Sequence, residues 1–335
     1  MRVLYYIPHR FTTGADHWIY EGWKHAFRDL GHHFEELSVA DRDWWRKVEE
    51  TAPDLLFITN FVDLVRHRDF LLWVRKRGTK VMLVVDWPMR TEWVDIIRNE
   101  DVADVFFGER EPESMTEFAE RTKRTYHLIP NAANRLLHFP TAPTRKYQYD
   151  IVYLGAYLTK KRRMFDDILL PLALRYKVGI FGPYWTARDY AMGALQRAAR
   201  TVGAARMVDA INRLRVVIPP DEENQLYSSA KICLNFHERE EDGGQPHYIV
   251  NQRAFKIPAC GGFEMCDYVP ALSKYFSADE IVMATDREDW FEKIDYFMTR
   301  EEDRRRIQQN GARRALRDHT YHNRIEELFK VIGGV

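Results

Sequence analysis

Among the 335 residues there are only three cysteines, Cys233, Cys260 and Cys266, and no two stand in Cys-x-x-Cys spacing. That excludes a zinc ribbon or a dithiol redox centre, and the thiols read as reduced and structural. Long apolar runs are also missing. The longest, Val81–Val85 and Ile168–Leu174, fall far short of the roughly 20 residues that span a bilayer, so no membrane span is expected. No signal-peptide pattern precedes the strand-like Arg2–Ile7, so a cytoplasmic location is expected. Excess charge is absent too: 50 Lys plus Arg balance 50 Asp plus Glu. Without a global field the chain has no means of coating polyanions, although a local basic groove stays open. Neither Gly-x-Gly-x-x-Gly nor a Gly-Lys-Ser/Thr P-loop occurs, which removes support for dinucleotide redox and P-loop ATPase chemistry.

What is there is the composition of a folded protein: 45% hydrophobic, 30% charged and 13% aromatic residues. At roughly 150 residues per domain the length allows about two domains. Short apolar runs alternate with amphipathic stretches from the first residues onward, the pattern of a parallel sheet covered by helices on both faces. In the first half the strands are expected at Val3–Ile7, His33–Leu37, Leu55–Thr59, Lys80–Val85, Val102–Phe107 and Thr125–Ile129. Helices at Asp16–Leu30 and Val62–Arg77 are closed by Gly31 and Gly78. Phe139–Lys146, with two prolines, reads as a linker, after which the alternation restarts. Strands then follow at Tyr149–Leu154, Lys177–Phe181, Arg215–Ile218, Lys231–Asn235, Gly262–Cys266 and near Glu280–Met283, with a helix near Lys160–Tyr176 and another at Val250–Ala259. The fold class is α/β, two Rossmann-like doubly wound domains, 1–143 and 144–318. Ligands of such sheets bind beyond the carboxyl ends of the strands, so two domains facing across a cleft suit a two-substrate enzyme.

Several strand ends carry polar groups. The turn Pro8–Asp16 offers His9 or Asp16 as a base and the amides around Thr13 and Gly14 to an acceptor, while Asp16 serves equally as an N-cap. Asp86 follows an apolar strand and either binds a hydroxylated acceptor or caps the helix after Pro88. Gly155 ends a strand ahead of Lys160-Lys161-Arg162-Arg163, where a glycine permits close approach and Arg162 or Arg163 can neutralise a diphosphate; the alternative is a solvated basic helix start. The densest constellation is Asn235-Phe236-His237, then Asn251-Gln252-Arg253, Lys256 and Gly261-Gly262. A helix amino terminus with Arg253 beside it suits an anion, and His237 is either a catalyst or a hydrogen-bonded structural histidine. Metal readings are poor: Asp41-Arg42-Asp43 sits ahead of a tryptophan-rich helix as a cap, and the acidic loop between His237 and His247 matches no metal motif. No metal and no cofactor is expected. The Arg304–Arg306 and Arg313-Arg314 runs are interleaved with acids and read as a solvated helix face.

Leu234-Asn235-Phe236-His237, Asn251-Gln252-Arg253-Ala254-Phe255, Ile257–Phe263 and His319-Thr320-Tyr321-His322-Asn323-Arg324 resemble the CgeB-like (spore-maturation-type) glycosyltransferases of the GT-B class. Asp150–Gly155 with its downstream arginines, and Pro53-Asp54-Leu55 leading towards Asp86, look like the same family. The likeness spans nearly the whole chain and is specific mainly in Leu226–Arg324. It implies an acceptor site in the first domain (Thr13, Gly14, Asp16, Asp86) and a nucleotide-sugar site in the second. A carboxy-terminal helix within 319–335, about Tyr321–Ile332, would cross back to the first domain. Gly155 and Arg162 or Arg163 would face the donor phosphates, Asn235, His237, Asn251 and Arg253 would line the donor pocket, and Gly261-Gly262 would form its floor. The implied reaction is metal-independent, retaining transfer from a nucleoside-diphosphate sugar to a hydroxyl of a glycan, protein, small molecule or modified DNA base. One departure stands out: Lys256 replaces a family glutamate that binds the donor ribose, and an ammonium cannot accept hydrogen bonds. Glu264 or Glu223 would have to substitute, or the donor differs. Rival readings are a phage-type DNA-base glycosyltransferase and a catalytically silent nucleotide-sugar-binding protein.

Overall fold

Eleven short strands built from those apolar runs form two parallel sheets in the computed structural model, which describes residues 1–7, 15–39, 41–215, 218–239, 241–242, 244 and 249–333. The first sheet has the order β2-β1-β3-β4-β5-β6, with β1 Arg2–Ile7, β2 His33–Ser38, β3 Leu55–Ile58, β4 Lys80–Val84, β5 Val105–Gly108 and β6 Tyr126–Leu128. All of its pairings are parallel. β3 and β5 are buried along their whole length, as strands covered on both faces must be. Leu4, Leu56, Leu83 and Phe106 join Phe70, Leu71 and Val74 of the helix Leu64–Lys76 in one core.

The second sheet runs β11-β10-β9-β7-β8, with β7 Ile151–Leu154, β8 Val178–Phe181, β9 Ile232–Asn235, β10 Glu264–Asp267 and β11 Val282–Ala284, again all parallel. Tyr153, Phe165, Leu234, Phe236, Met265 and Trp290 pack on one face, and Val152, Leu226, Cys233 and Ile257 on the other. The three cysteines are free and buried. The strand order reverses between β7 and β9, the crevice where doubly wound sheets take ligands.

Caps delimit the helices. Asp43 accepts from the Arg46 amide at 3.1 Å, Asp63 from Arg66 at 3.4 Å and Asp286 from Asp289 at 2.9 Å. Gly31 (φ +79°) and Gly78 (φ +87°) take the left-handed conformation that ends the two helices before them.

Three local expectations need correction. Arg215 ends a helix, Ala205–Arg215, instead of opening a strand, with its guanidinium held by Asp189 and Gln196; residues 216 and 217 of the expected strand lie outside the described residues. Neither Asp86 nor Pro88 starts a helix; the next one is Thr91–Asn99, with Arg90 at its cap position. The helix near Lys160–Tyr176 is a composite: a 3-10 turn Thr159–Lys161, an α turn Arg162–Met164, a π segment Phe165–Leu169 and an α turn Leu170–Ala173.

The chain forms two compact units. One holds Met1–Phe11, Tyr20–Asn131 and Tyr321–Val335, the other Thr12–Ile19 and Ala132–Thr320. Phe139–Lys146 thus lies inside the second unit. Among the described residues no helix is long and apolar enough to cross a membrane.

Candidate functional site

The second unit gathers its chemistry at the reversal point. β7 delivers Gly155 and β9 delivers Asn235, Phe236 and His237 to the same end of the sheet. Arg253, first residue of the helix Arg253–Ala259, reaches back across both strand ends. Its Nη1 donates to the Leu154 carbonyl at 2.8 Å and its Nη2 to the Phe236 carbonyl at 3.0 Å. Its guanidinium lies 5.3 Å from the Tyr153 ring centroid. A Cβ on Gly155 would collide with Arg253 Nη1, so only glycine leaves room for this fork. Gly182 (φ +129°) packs against the Gly155 carbonyl, which accepts from Trp185 Nε1 at 2.7 Å.

A second cation meets the first. Lys161 is 3% exposed, and its Nζ donates to the Phe236 carbonyl at 2.8 Å. Burial, and then the Arg253 charge, push its pKa down to about 7 against the pull of Glu238 and Asp267. Among the described residues neither Lys161 nor Arg253 has a carboxylate at ion-pair distance. A fixed guanidinium and an amine whose charge is poised near neutral pH thus converge on one backbone oxygen at the mouth of the sheet, an arrangement that an anion would complete by holding the amine protonated.

Around them lies a buried polar network. Asn235 and Asn251 exchange amide hydrogen bonds at 3.1 and 2.9 Å, and Asn235 Nδ2 also donates to Glu264 Oε1 at 2.8 Å. Burial raises the Glu264 pKa to about 8, so this acid stays protonated at neutral pH. His237 is fully buried, with its backbone amide and Nδ1 both on Asp267 Oδ1, at 2.8 and 3.1 Å. Arg239 Nη2 meets Asp267 Oδ2 at 3.3 Å. Burial alone would raise the Asp267 pKa, but the attraction and hydrogen bonds of His237, aided by Arg239, hold it below the usual carboxylate range.

Gly155, Asn235, His237, Asn251 and Arg253 are therefore brought together, and the remaining predicted residues are not. Arg162 is exposed and pairs with Asp166 at 3.3 Å; Arg163 is exposed as well. Lys161 reaches the site in their place. Successive residues of a helical turn point about 100° apart, so one member of a four-cation run turns inward, and the sequence does not say which. Gly261 (φ +72°) and Gly262 lie at the amino end of β10, the opposite end of the sheet from Gly155. They pack on Pro140 and Ile257 and close a helix, so they form no pocket floor. Lys256 is buried in an ion pair with Glu223, with its ammonium 5.0 Å from the Trp18 ring centroid, so both residues are engaged in the core.

The proposed acceptor residues are spread over both units. Asp86, at the carboxyl end of β4, is paired with Arg110 and accepts from the Trp87 amide at 2.8 Å. Asp16 is an exposed first-turn residue of the helix Ala15–Asp29, in the segment that clusters with the second unit. His9, Thr13 and Gly14 lie outside the described residues, as does His247. Among the described residues no group of three His, Cys, Asp or Glu is placed to hold a metal.

A glycosyl transferase-like family model matches residues 161–330, just over half of the chain, and includes Lys161, His237, Arg253 and Asp267. No curated protein matches the chain. Solved structures similar over nearly the full length include a glycosyltransferase from Rickettsia africae ESF-5 (TM-score 0.65, 10% identity, covering 100% of this chain and 99% of that one). An alpha-glucosyltransferase in complex with UDP gives a TM-score of 0.67 at 14% identity, with 99% of each chain covered, and has also been solved with UDP and a 13-mer DNA containing an HMU base. Anabaena Alr3699/HepE in complex with UDP and glucose gives 0.63 at 12% identity, with both chains fully covered. With two parallel sheets, a cationic strand-end site and a family match that spans it, the chain belongs to the glycosyl transferase-like family and is a glycosyltransferase of the GT-B fold, built from two Rossmann-like domains.

Proposed function

We propose that the chain transfers a glycosyl unit from a nucleoside-diphosphate sugar, with UDP as the nucleotide, to a hydroxyl acceptor, in the manner of the CgeB-like enzymes. The observation that carries this reading is the Lys161–Arg253 pair on the Phe236 carbonyl at the reversal point of the second sheet, neither of which has a carboxylate at ion-pair distance among the described residues. UDP is favoured because similar structures hold it.

The chemistry asked of the protein is positioning and charge stabilisation. Arg253 and Lys161 would carry the diphosphate as it leaves, and Gly155 keeps the guanidinium in place. Asn235 and Asn251 hold each other and brace the strand end. The acceptor hydroxyl would attack the anomeric carbon as the bond to the diphosphate breaks. Retention would follow if the leaving phosphate took the hydroxyl proton, which requires no side-chain nucleophile. The reaction would need no metal, since the two cations supply the charge that a divalent ion supplies elsewhere.

A thermal-shift screen of UDP, GDP, ADP, TDP and CMP in EDTA tests the reading. A native-state ligand must raise Tm, and UDP is expected to raise it most. Absence of any shift, together with absence of hydrolysis or transfer from the matching sugar nucleotides, would remove the proposal.

A modified DNA base is a second acceptor reading, favoured by the similar alpha-glucosyltransferase solved with DNA. The zero net charge weighs against it, because duplex affinity derives from phosphate neutralisation and falls steeply with salt. Duplex binding that is weak and insensitive to salt would eliminate it.

A further inference from the structure

We propose that the helical hairpin of residues 187–215 seats the protein on an anionic lipid surface, its first helix lying in the headgroup layer with the outer face towards the acyl chains.

The hairpin is built inside out. Its helices, Ala187–Thr201 and Ala205–Arg215, pack chiefly on each other. The face that the first helix turns inward is polar. There Arg215 donates to Asp189 Oδ1 at 2.8 Å, to Asp189 Oδ2 at 3.1 Å and to Gln196 Oε1 at 2.6 Å, beside the buried Gly193 and Ala199. The face it turns outward is apolar: Ala187, Tyr190, Ala191, Ala194, Leu195 and Ala198 are all exposed, Tyr190 to 61%. A helix whose outer side meets only water shows the reverse pattern. Val202, at the turn between the helices, is 79% exposed, and Leu214 of the second helix 68%. Apolar surface gathered in this way marks a face that something covers.

Charge identifies the cover. Residues 187–215 hold six arginines and two aspartates, a net charge of +4 in a chain whose total is zero. At about 100° per residue, Tyr190 and Leu195 bound an arc of about 140° in which Thr201 is the one polar residue. Arg197 and Arg188 stand about 20° beyond its two edges, and Arg200 lies further round on the Arg197 side. All three arginines are exposed, and among the described residues none is in an ion pair. An apolar centre between flanking cations matches an anionic bilayer, whose acyl chains take the centre and whose phosphates take the guanidinium groups. A second copy of the hairpin would instead set like charge against like. A nucleic-acid duplex supplies phosphates but nothing to cover Tyr190 and Leu195.

Sedimentation of the full chain with lipid vesicles tests the proposal. The protein is expected to bind vesicles of phosphatidylcholine mixed with phosphatidylglycerol and to ignore phosphatidylcholine alone, with affinity falling as salt rises. Each cation at such a surface is worth roughly fivefold, so Arg188→Gln/Arg197→Gln/Arg200→Gln should weaken binding on the order of a hundredfold. Tyr190→Ser/Leu195→Ser should weaken it about tenfold. Both variants alter exposed side chains, so Tm should stay at the parent value. The control Arg305→Gln/Arg306→Gln/Arg313→Gln removes equal charge from the exposed side of the helix Glu301–Asp318 and should change binding by less than about twofold. No binding to the anionic vesicles, equal binding to the neutral ones, or an equal loss in the control would overturn the proposal. So would a dimer in light scattering that Tyr190→Ser/Leu195→Ser splits, or a DNA duplex that displaces the vesicles, since these assign the face to a second copy or to nucleic acid.

Discussion

Arg253 spends its hydrogen bonds on two backbone carbonyls, and what keeps it there is the absence of a side chain at Gly155. Gly155→Ala should therefore act through the arginine, lowering diphosphate affinity about tenfold, as expected for loss of a charge-assisted contact. The double variant Gly155→Ala/Arg253→Ala should bind no worse than Arg253→Ala alone. Calorimetric titration of the three proteins checks this, and simple addition of the two losses would contradict it. Glu264 supplies a pH signature. Its pKa rises from the ordinary 4.5 to about 8 on folding, so between those values the native chain holds a proton that the unfolded chain has released. That contribution to stability is complete below pH 4.5 and is lost as pH climbs to 8. Glu264→Gln mimics the protonated acid and keeps the oxygen that Asn235 needs, so its Tm should match the parent at pH 4 and exceed it at pH 8. Melting curves across that range decide the matter.

Elements were more legible than sites. Strands β3, β4 and β9 announce themselves as apolar runs because both faces of a parallel sheet are covered, and Gly31 and Gly78 mark helix ends because each takes a left-handed backbone. Arg253 and Gly155 could be paired from a glycine at a strand end and a cation at a helix start. Lys161 could not be told from Arg162, since the answer depends on a 3-10 turn that rotates the run. Asp267 stands thirty positions from His237 in sequence and meets it only through the β9–β10 pairing. The carboxy-terminal helix Tyr321–Val331 shows how one element can close a unit. Tyr321 lies against Gly22 and Trp23, His322 bonds Asp29 at 2.8 Å, and the buried Arg324 donates to the carbonyls of Pro130 and Asn131 at 3.0 and 3.3 Å. Arg324→Met would remove the buried guanidinium bonds to those carbonyls and should cost about 3 kcal/mol. A lower Tm and faster proteolysis within Tyr321–Val331 are the expected readouts.

For the whole molecule, two units with separate cores predict two calorimetric transitions. A nucleotide held by Lys161 and Arg253 binds the second unit, so saturating UDP should move that transition upward and leave the first nearly in place. Scanning calorimetry with and without UDP checks the assignment, and a shift confined to the first transition would contradict it. The matched family model covers residues 161–330 and thus holds Lys161, Asn235, His237, Asn251 and Arg253, whereas Gly155 lies just ahead of it and Asp86 lies in the first unit.

That first unit is stitched from pieces at both extremes of the numbering, whereas the second is almost one continuous stretch. A ribosome delivers the chain in order, so residues 20–131 emerge early yet wait for the helix that carries Arg324 before its buried guanidinium can reach the carbonyls of Pro130 and Asn131. The unit numbered first is the last to be completed, and until then it is the part of the nascent chain most in need of protection.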